Sequence, residues 1–520
     1  MNNGPNINEW LASQNVATVE NPEEIMEHLY DLSRPFFLPG GAFVPALPVE
    51  NLGDRVFLAR HGLKYPYIAG AMANGITGER MVKTMAENGM TAFFGSGGLS
   101  LDRIEQAILE LKETLHGKPF GFNLIHSPAD PDHEMAVAEL YLKQGITLVS
   151  AAAYMRMTLP LVYFRIKGLH TDSEGRVIAQ NRIIAKVSRV EVAARFFSPP
   201  PAKLVQKLYE KGVITHQEKQ LSRYIPMAHD LTAEADSGGH TDNRPALTLL
   251  PTMLALKEES AAKYQYTDPL CVGLAGGIST PQAAAAAFQM GASYILTGSV
   301  NQSCVEAEIS EDVKQLLAET QQADVTMAPS ADMFEIGARV QVLKRGTMFP
   351  LKAEKLFRLY RLYDRFEDLP EKDRKHVEEK ILMSGFETEW QRTKEFFSAR
   401  GNQKEIEKAQ FDPKHKMALV FRSYLGLASK WAVQGKAERK MDYQIWCGPA
   451  MGAFNQWVKG TFLELSCNRE VATIALNILF GAAVVTRAAW VRQQGIHLPV
   501  ETLTISPEEH IAFRLNQSFI

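Results

Sequence analysis

From about residue 64 the chain alternates short apolar runs with longer stretches in which apolar residues recur at helical spacing. The apolar runs are YPYIAGAM (65–72), TAFFGSG (91–97), PFGFNLI (119–125), ITLVSAAAY (146–154), RIIAKVS (182–188), DLTAEADS (230–237), LCVGLAGG (270–277) and SYILTGSV (293–300). Runs this continuously apolar predict strands of a parallel sheet covered on both faces. The intervening helices have readable ends. Ser100 stands as an N-cap before Ile104, Ile108, Leu111 and Leu115, with Gly117 after the stop. Thr280 caps a second helix, with Pro281 at its first position and Gly291 beyond its end. Eight βα units followed by a change of pattern predict an α/β fold of the (β/α)8 TIM-barrel kind; a doubly wound sheet is the other arrangement.

The pattern divides the chain into an N-terminal extension (1–50), a barrel (51–305) and a mostly helical region (306–520) in which no strand pattern recurs. The barrel carries two helical insertions. One, MRMTLPLVYFRIKGLHTDSEGRV, lies between the fourth and fifth strands and is placed to wall or lid a site; the other lies between the fifth and sixth. In the helical region, Lys352, Lys355, Arg358, Arg361 and Arg365 recur at steps of three or four, opposite Leu356, Leu359, Tyr360 and Tyr363. On a helix they form one positive stripe, either a docking face or a solvated amphipathic surface. The apolar stretch ATIALNILFGAAVV (472–485) is interrupted by Thr473, Asn477 and Gly481. It is shorter than the roughly 20 residues of a bilayer span, which predicts a buried helix against the barrel or a second subunit.

Composition narrows the function classes. A net charge of −3 gives no global reason to expect nucleic acid or a membrane surface as partner. Cys271, Cys304, Cys447 and Cys467 are far apart and form no CxxC pair, so neither a metal site nor a disulfide scaffold is expected. The opening MNNGPNINEW has neither the basic nor the apolar part of a signal peptide, and a cytoplasmic protein is expected.

In such barrels the chemistry sits at the C-terminal ends of the strands, with phosphate commonly bound after strands seven and eight. Those ends read AGGIST and TGSV. Gly276, Gly277 and Gly298 let backbone amides approach an anion, the helix after Thr280 adds its dipole, and the Ser299 hydroxyl can donate. A tight turn would use the same glycines. AGAM offers main chain at Gly70, Ala71 and Met72 suited to a flat ring, though a lone methionine also suits a core. Asn123 either reads a ligand or caps a turn. Lys186, inside an apolar run, is a buried cation needing a partner or lies on an exposed edge. In EADSGGHTDNRP, two glycines, Gly238 and Gly239, precede His240 at the end of the sixth strand. An imidazole there can give or take a proton near neutral pH; a purely structural histidine is the alternative.

In this order AGAM, FNLI, AKVS, DSGGH, AGGI and TGS resemble the FMN-dependent nitronate monooxygenase and enoyl-reductase superfamily. The longer segments NRIIAKVSRVEVAARFFSPPP, EADSGGHTDNRPALTLLPT, ADMFEIGARVQVLKRGTMFP and GPAMGAFNQWVKGTFLE resemble the PfaD-type enoyl-reductase subunit of polyunsaturated fatty acid synthases, relatives of which act in trans in polyketide synthases. The resemblance runs from about residue 30 to the C-terminus. It implies a barrel holding FMN, reduction by NADPH, and an enoyl thioester on acyl carrier protein as substrate; a homodimer follows on family grounds only. By the same resemblance Gly70, Ala71 and Met72 border the flavin, and Asn123 and Lys186 hydrogen-bond it. Gly238 and Gly239 let the ring lie against main chain, Gly276, Gly277, Gly298 and Ser299 hold the phosphate, and His240 is the catalytic histidine. Smaller members of the superfamily continue GGH with glycine. Here Thr241, Asp242, Asn243 and Arg244 follow, and Asp242 or Arg244 is a candidate to orient the ring or to meet an NADPH phosphate. A nitronate-oxidising flavoenzyme, a non-flavin phosphate barrel and a non-enzymatic scaffold are the rival readings.

Overall fold

A computed structural model describes residues 17, 19, 21–38, 42–127, 130–399, 401–498 and 504–517. All eight apolar runs form strands, and the strands close into a parallel barrel. They are β1 (Tyr67–Ala69), β2 (Thr91–Phe94), β3 (Gly121–Ile125), β4 (Leu148–Ala152), β5 (Arg182–Val187), β6 (Asp230–Glu234), β7 (Cys271–Ala275) and β8 (Ile295–Thr297). β8 pairs with β1 through Leu296 opposite Ile68, which completes the ring. Both faces of β1, β2, β7 and β8 are buried, the condition that made their sequence continuously apolar.

The lower barrel interior is packed, not open. Ile68, Phe93, Ile184 and Leu296 meet Tyr294, whose ring stacks on Phe57 at 4.1 Å and whose hydroxyl bonds Thr232 Oγ1 at 2.8 Å. Below them, Asp230 takes a hydrogen bond from Arg60 Nη1 at 2.5 Å and contacts His61 Nε2 at 2.9 Å. That plug leaves only the C-terminal ends of the strands free to build a site. The expected caps are in place. Ser100 Oγ accepts the amide of Arg103 and Thr280 Oγ1 that of Ala283, each at 3.3 Å, contacts typically worth about 1 kcal/mol apiece.

One expectation for the helical region needs correction. Strands do recur after residue 305: β9 (Val325–Pro329) and β10 (Arg339–Leu343) form an antiparallel pair, and β10 also pairs with Gly239–His240. The three-stranded layer binds the C-terminal region to the loop after β6. The basic stripe is in part tied to the chain's own carboxylates, while Arg358 and Arg361 are exposed. Lys352 is tied to Asp442 at 2.5 Å and Lys355 to Asp373 at 2.9 Å, while Arg365 lies past the helix Phe349–Leu362 and pairs with Asp368.

The apolar stretch lies in a helix longer than the sequence pattern suggested, Val471–Gln493, 23 residues with a mean hydropathy of 1.7 over its most apolar window. By length and composition it could cross a membrane. In the structure 83% of that window is buried, and the helix packs on Pro281–Gln289, the helix after β7. It therefore serves as part of the barrel's outer coat.

Candidate active site

A cavity of about 1620 Å³ opens at the C-terminal ends of the strands. One wall is the barrel mouth. The other comes from the helical region, including Arg422, Tyr424, Trp431 and Trp446. Small-ligand sites usually measure roughly 300–1,000 Å³, so this one has room for two ligands side by side.

At the β7–β8 end, Gly276 and Gly277 both take left-handed conformations, φ +84° and +76°. A Cβ on Gly276 would lie 2.6–2.7 Å from the main chain of Ala235 and Asp236, so that glycine is required by protein packing. A Cβ on Gly277 or on Gly298 would meet nothing within 4 Å. Both glycines line the cavity, and the open space above them fits an anionic group held by main chain. Ser299 Oγ accepts the amide of Gly448 at 3.0 Å and keeps its own proton to donate. Gln302, buried in the same wall, has a side-chain Nε2 with no hydrogen-bond partner among the described residues. The residues present thus fit a phosphorylated cofactor such as FMN.

The other candidates also line the cavity. The main chain of Gly70 is engaged within the protein, its amide to Thr297 O at 2.9 Å and its carbonyl to Thr77 Oγ1 at 2.9 Å. Met72 is held in the same way by Thr77 Oγ1 at 3.0 Å, so of the three residues Ala71 has the freest main chain. Asn123 lies within β3, not at its end; its Nδ2 donates to Ser150 O at 3.0 Å. Lys186 is half-buried and has the partner its position demanded, Glu234, at 2.8 Å. Gly238 lines the cavity, but the space above its Cα is taken by protein. A Cβ there would lie 2.9–3.0 Å from the main chain of Cys447, so the close approach it permits is by the 446–450 segment. Gly239 is at φ +80°, and a Cβ there would lie 3.9 Å from the Trp446 ring.

His240 sits beyond β6, which ends at Glu234, and is held in the short strand opposite Val340. The added β layer, which local sequence pattern does not predict, sets its position. Its Nε2 contacts Asp332 Oδ1 and Ser330 Oγ, each at 3.1 Å, while Ser330 donates to Asp332. The imidazole is 44% accessible and lines the cavity. Burial lowers its pKa, but the hydrogen bond and charge of Asp332, with Glu234 behind, outweigh burial and Lys186 and raise it. Burial would push Asp332 up; the His240 contact instead brings it down to about 2. Asp242 does not touch the ring. It forms a two-pronged pair with Arg189 at 2.9 Å and takes the Ser188 hydroxyl, which anchors the His240 loop to the end of β5. Arg244 is exposed and lines a small depression beside Arg189.

Sequence reasoning passed over three groups here. His126 follows β3 directly, Glu134 lies behind it, and the 446–450 segment closes over the mouth. His126 also stands at the end of an apolar run, but without the paired glycines that singled out His240.

The fold and the cradle define a class. A family model for nitronate monooxygenase matches residues 56–347, more than half of the chain, and the chain belongs to that family. A second, for the inserted helical domain of [acyl-carrier-protein] S-malonyltransferase, matches residues 363–443, part of the helical wall. Within the superfamily the chain is similar to the enoyl reductase domain of MlnA from the macrolactin biosynthesis cluster of Bacillus amyloliquefaciens. Identity is 39%, with a TM-score of 0.81, over 86% of this chain and 100% of that one. It is 44% identical over 454 residues to the polyketide biosynthesis protein PksE of Bacillus subtilis, covering 87% of this chain and 58% of PksE. It is 44% identical over 443 residues to a polyunsaturated fatty acid synthase protein of Thraustochytrium sp., covering 84% of this chain and 30% of that protein. The chain therefore spans between under a third and somewhat over half of these curated relatives.

Proposed function

We propose that this chain is an FMN-dependent enoyl reductase that uses NADPH to reduce the 2,3 double bond of an enoyl thioester on acyl carrier protein, in polyunsaturated fatty acid or related polyketide synthesis. The observation that carries the reading is one cavity that joins a main-chain anion cradle to an imidazole braced by a carboxylate. The 39% likeness to the MlnA enoyl reductase domain supports it.

In this reading Gly276, Gly277, Gly298 and Ser299 hold the phosphate. Ala71, flanked by Gly70 and Met72, borders the ring with Gly239, while Asn123 and Lys186 meet its polar edge. When bound, the flavin supplies hydride transfer. The chain supplies placement and a proton. Glu234 fixes Lys186, and the Arg189–Asp242 pair fixes the loop that carries His240. Reducing an enoyl thioester places negative charge on the thioester oxygen and the α-carbon. His240, kept protonated to higher pH by Asp332, stabilises that charge and delivers the proton to the α-carbon. Aromatic side chains of the helical wall limit water at the reacting atoms.

The test is direct. The purified protein should be yellow, and anaerobic NADPH oxidation should depend on crotonyl thioester. Colourless protein that binds no added FMN overturns the reading. Oxygen consumption with alkylnitronate in air, with no NADPH oxidation dependent on crotonyl thioester, replaces it with a nitronate oxidase.

A further inference from the structure

Across the barrel mouth from His240 lies a second carboxylate-braced imidazole. His126 follows β3, and around the ring β4 and β5 separate β3 from β6, after which His240 is carried. His126 Nδ1 contacts Glu134 Oε2 at 3.1 Å, and the same carboxylate accepts the Ser127 amide at 3.1 Å, the Tyr154 hydroxyl at 3.1 Å and the Thr158 hydroxyl at 2.5 Å. Glu134 is 2% exposed. Burial pushes its pKa up, but these hydrogen bonds more than offset that and leave it lowered, so it is ionised at neutral pH. An ionised, acceptor-only carboxylate fixes a proton on Nδ1 of His126 and leaves Nε2 as the nitrogen for other partners. The imidazole lies parallel to the Tyr154 ring, centroids 5.4 Å apart at 20°, and both residues line the cavity. Ala153, which sets Tyr154 in place, takes a left-handed φ of +63°, a conformation costly for alanine and the kind of strain that gathers at working sites.

We propose that His126, positioned by Glu134, is a second substrate-facing group, whose Nε2–H hydrogen-bonds the thioester oxygen while His240 serves the α-carbon. This rests on the enoyl-reductase reading. The logic is charge placement. With Nδ1 held by Glu134, Nε2 is the nitrogen left for the substrate, and a proton there would find its best acceptor in the oxygen on which negative charge develops. No proton leaves His126 in the step. A bound flavin would supply the hydride for the β-carbon; the proton on the α-carbon comes from His240, which is then reprotonated from water.

The experiment uses the full, flavin-loaded chain and crotonyl-coenzyme A. Mass-spectrometric mapping after diethyl pyrocarbonate treatment, at a pH that leaves Nε2 unprotonated, should find His126 carbethoxylated, and crotonyl-coenzyme A should slow that labelling. His126→Ala should leave flavin content and flavin reduction by NADPH unchanged while slowing reoxidation by crotonyl-coenzyme A about 10²-fold. His126→Gln, which offers an amide N–H near the Nε2 position, should recover part of the loss. Glu134→Gln should lower kcat and leave KM in place, as expected of a residue that orients another. Labelling indifferent to crotonyl-coenzyme A, wild-type reoxidation rates in His126→Ala, or loss of flavin from both His126 variants would each overturn the proposal. Reduced wild-type flavin that crotonyl-coenzyme A does not reoxidise overturns instead the reading on which it rests, and the wild-type control alone reveals that case.

Discussion

Ser299 Oγ accepts the main-chain amide of Gly448 at 3.0 Å, so the loop after the last barrel strand is bonded to a segment from the far end of the chain. The contact is reinforced where Gly448 lies against Ser237 and Gly238. The missing side chains let two backbones meet, a Cβ on Gly448 falling 2.9 Å from Gly238 N. The cradle and the His240 loop are thus both held by residues 447–448, and the barrel does not complete the cavity by itself.

Gly448→Val tests that coupling. The added atoms meet main chain on the other side, which cannot rotate away, and overpacking of this kind costs about 1–3 kcal/mol. The expected outcome is a protein with a lower melting temperature and weaker FMN retention, read by thermal unfolding and by absorbance after gel filtration. Normal flavin retention in a folded Gly448→Val protein would separate the two loops functionally.

His240 and Asp332 give a prediction with a sign. His240→Ala should keep the cofactor and lose about 10²–10⁴-fold in thioester-dependent turnover. Asp332→Asn removes the main influence that raises the His240 pKa, so the imidazole should deprotonate at lower pH. The basic limb of the kcat profile then moves toward acid, while rates well below that limb stay near wild type. A profile that does not move assigns the basic limb to another group.

The barrel was readable because strands buried on both faces leave an unbroken apolar signature, and β1 to β8 fall inside the eight runs. The β9–β10 pair was not. Val325, Thr326 and Met327 are only partly buried, and the layer is stabilised by pairing β10 with Gly239–His240, a long-range contact that local pattern does not encode. The same limit explains Gly238. Two glycines before a histidine announced a close approach, but whether ligand or Cys447 makes it depends on where residue 447 folds. Lys186 went the other way: a cation inside an apolar run demanded a carboxylate, and Glu234 on the adjacent strand supplies it.

The helix Phe349–Leu362 illustrates what periodicity can mislead about. Its lysines were candidates for docking an acidic carrier, yet Lys352 serves Asp442, which is 2% exposed and also bound by Tyr424 and Arg439. Lys352→Glu should therefore cost about 3–5 kcal/mol by opposing a buried carboxylate. Arg361→Glu, on the exposed face, should change stability by less than about 0.5 kcal/mol. Neither Arg358→Glu nor Arg361→Glu should alter KM for carrier-bound crotonyl thioester relative to the free thioester. A selective rise in KM for the carrier-bound form would restore the stripe as a docking face.

The buried charge cluster under the barrel sets the response to acid. Burial alone would raise the pKa of Asp230, but the charge and hydrogen bond of His61 and the charge of Arg60 bring it down to about 2. A carboxylate whose folded pKa lies below its unfolded value of about 3.9 contributes stability that is fully present above that value. The contribution fades as pH falls from about 4 toward 2, and the shift corresponds to about 2–3 kcal/mol. Asp230→Asn should lower the melting temperature at pH 7, because Arg60 and His61 lose their buried counter-charge. The wild-type advantage over the variant should shrink on acidification and be nearly gone near pH 2. Melting curves of both proteins between pH 2 and 7 provide the check, and a difference that stays constant across that range would mean Asp230 acts there through packing and not through charge.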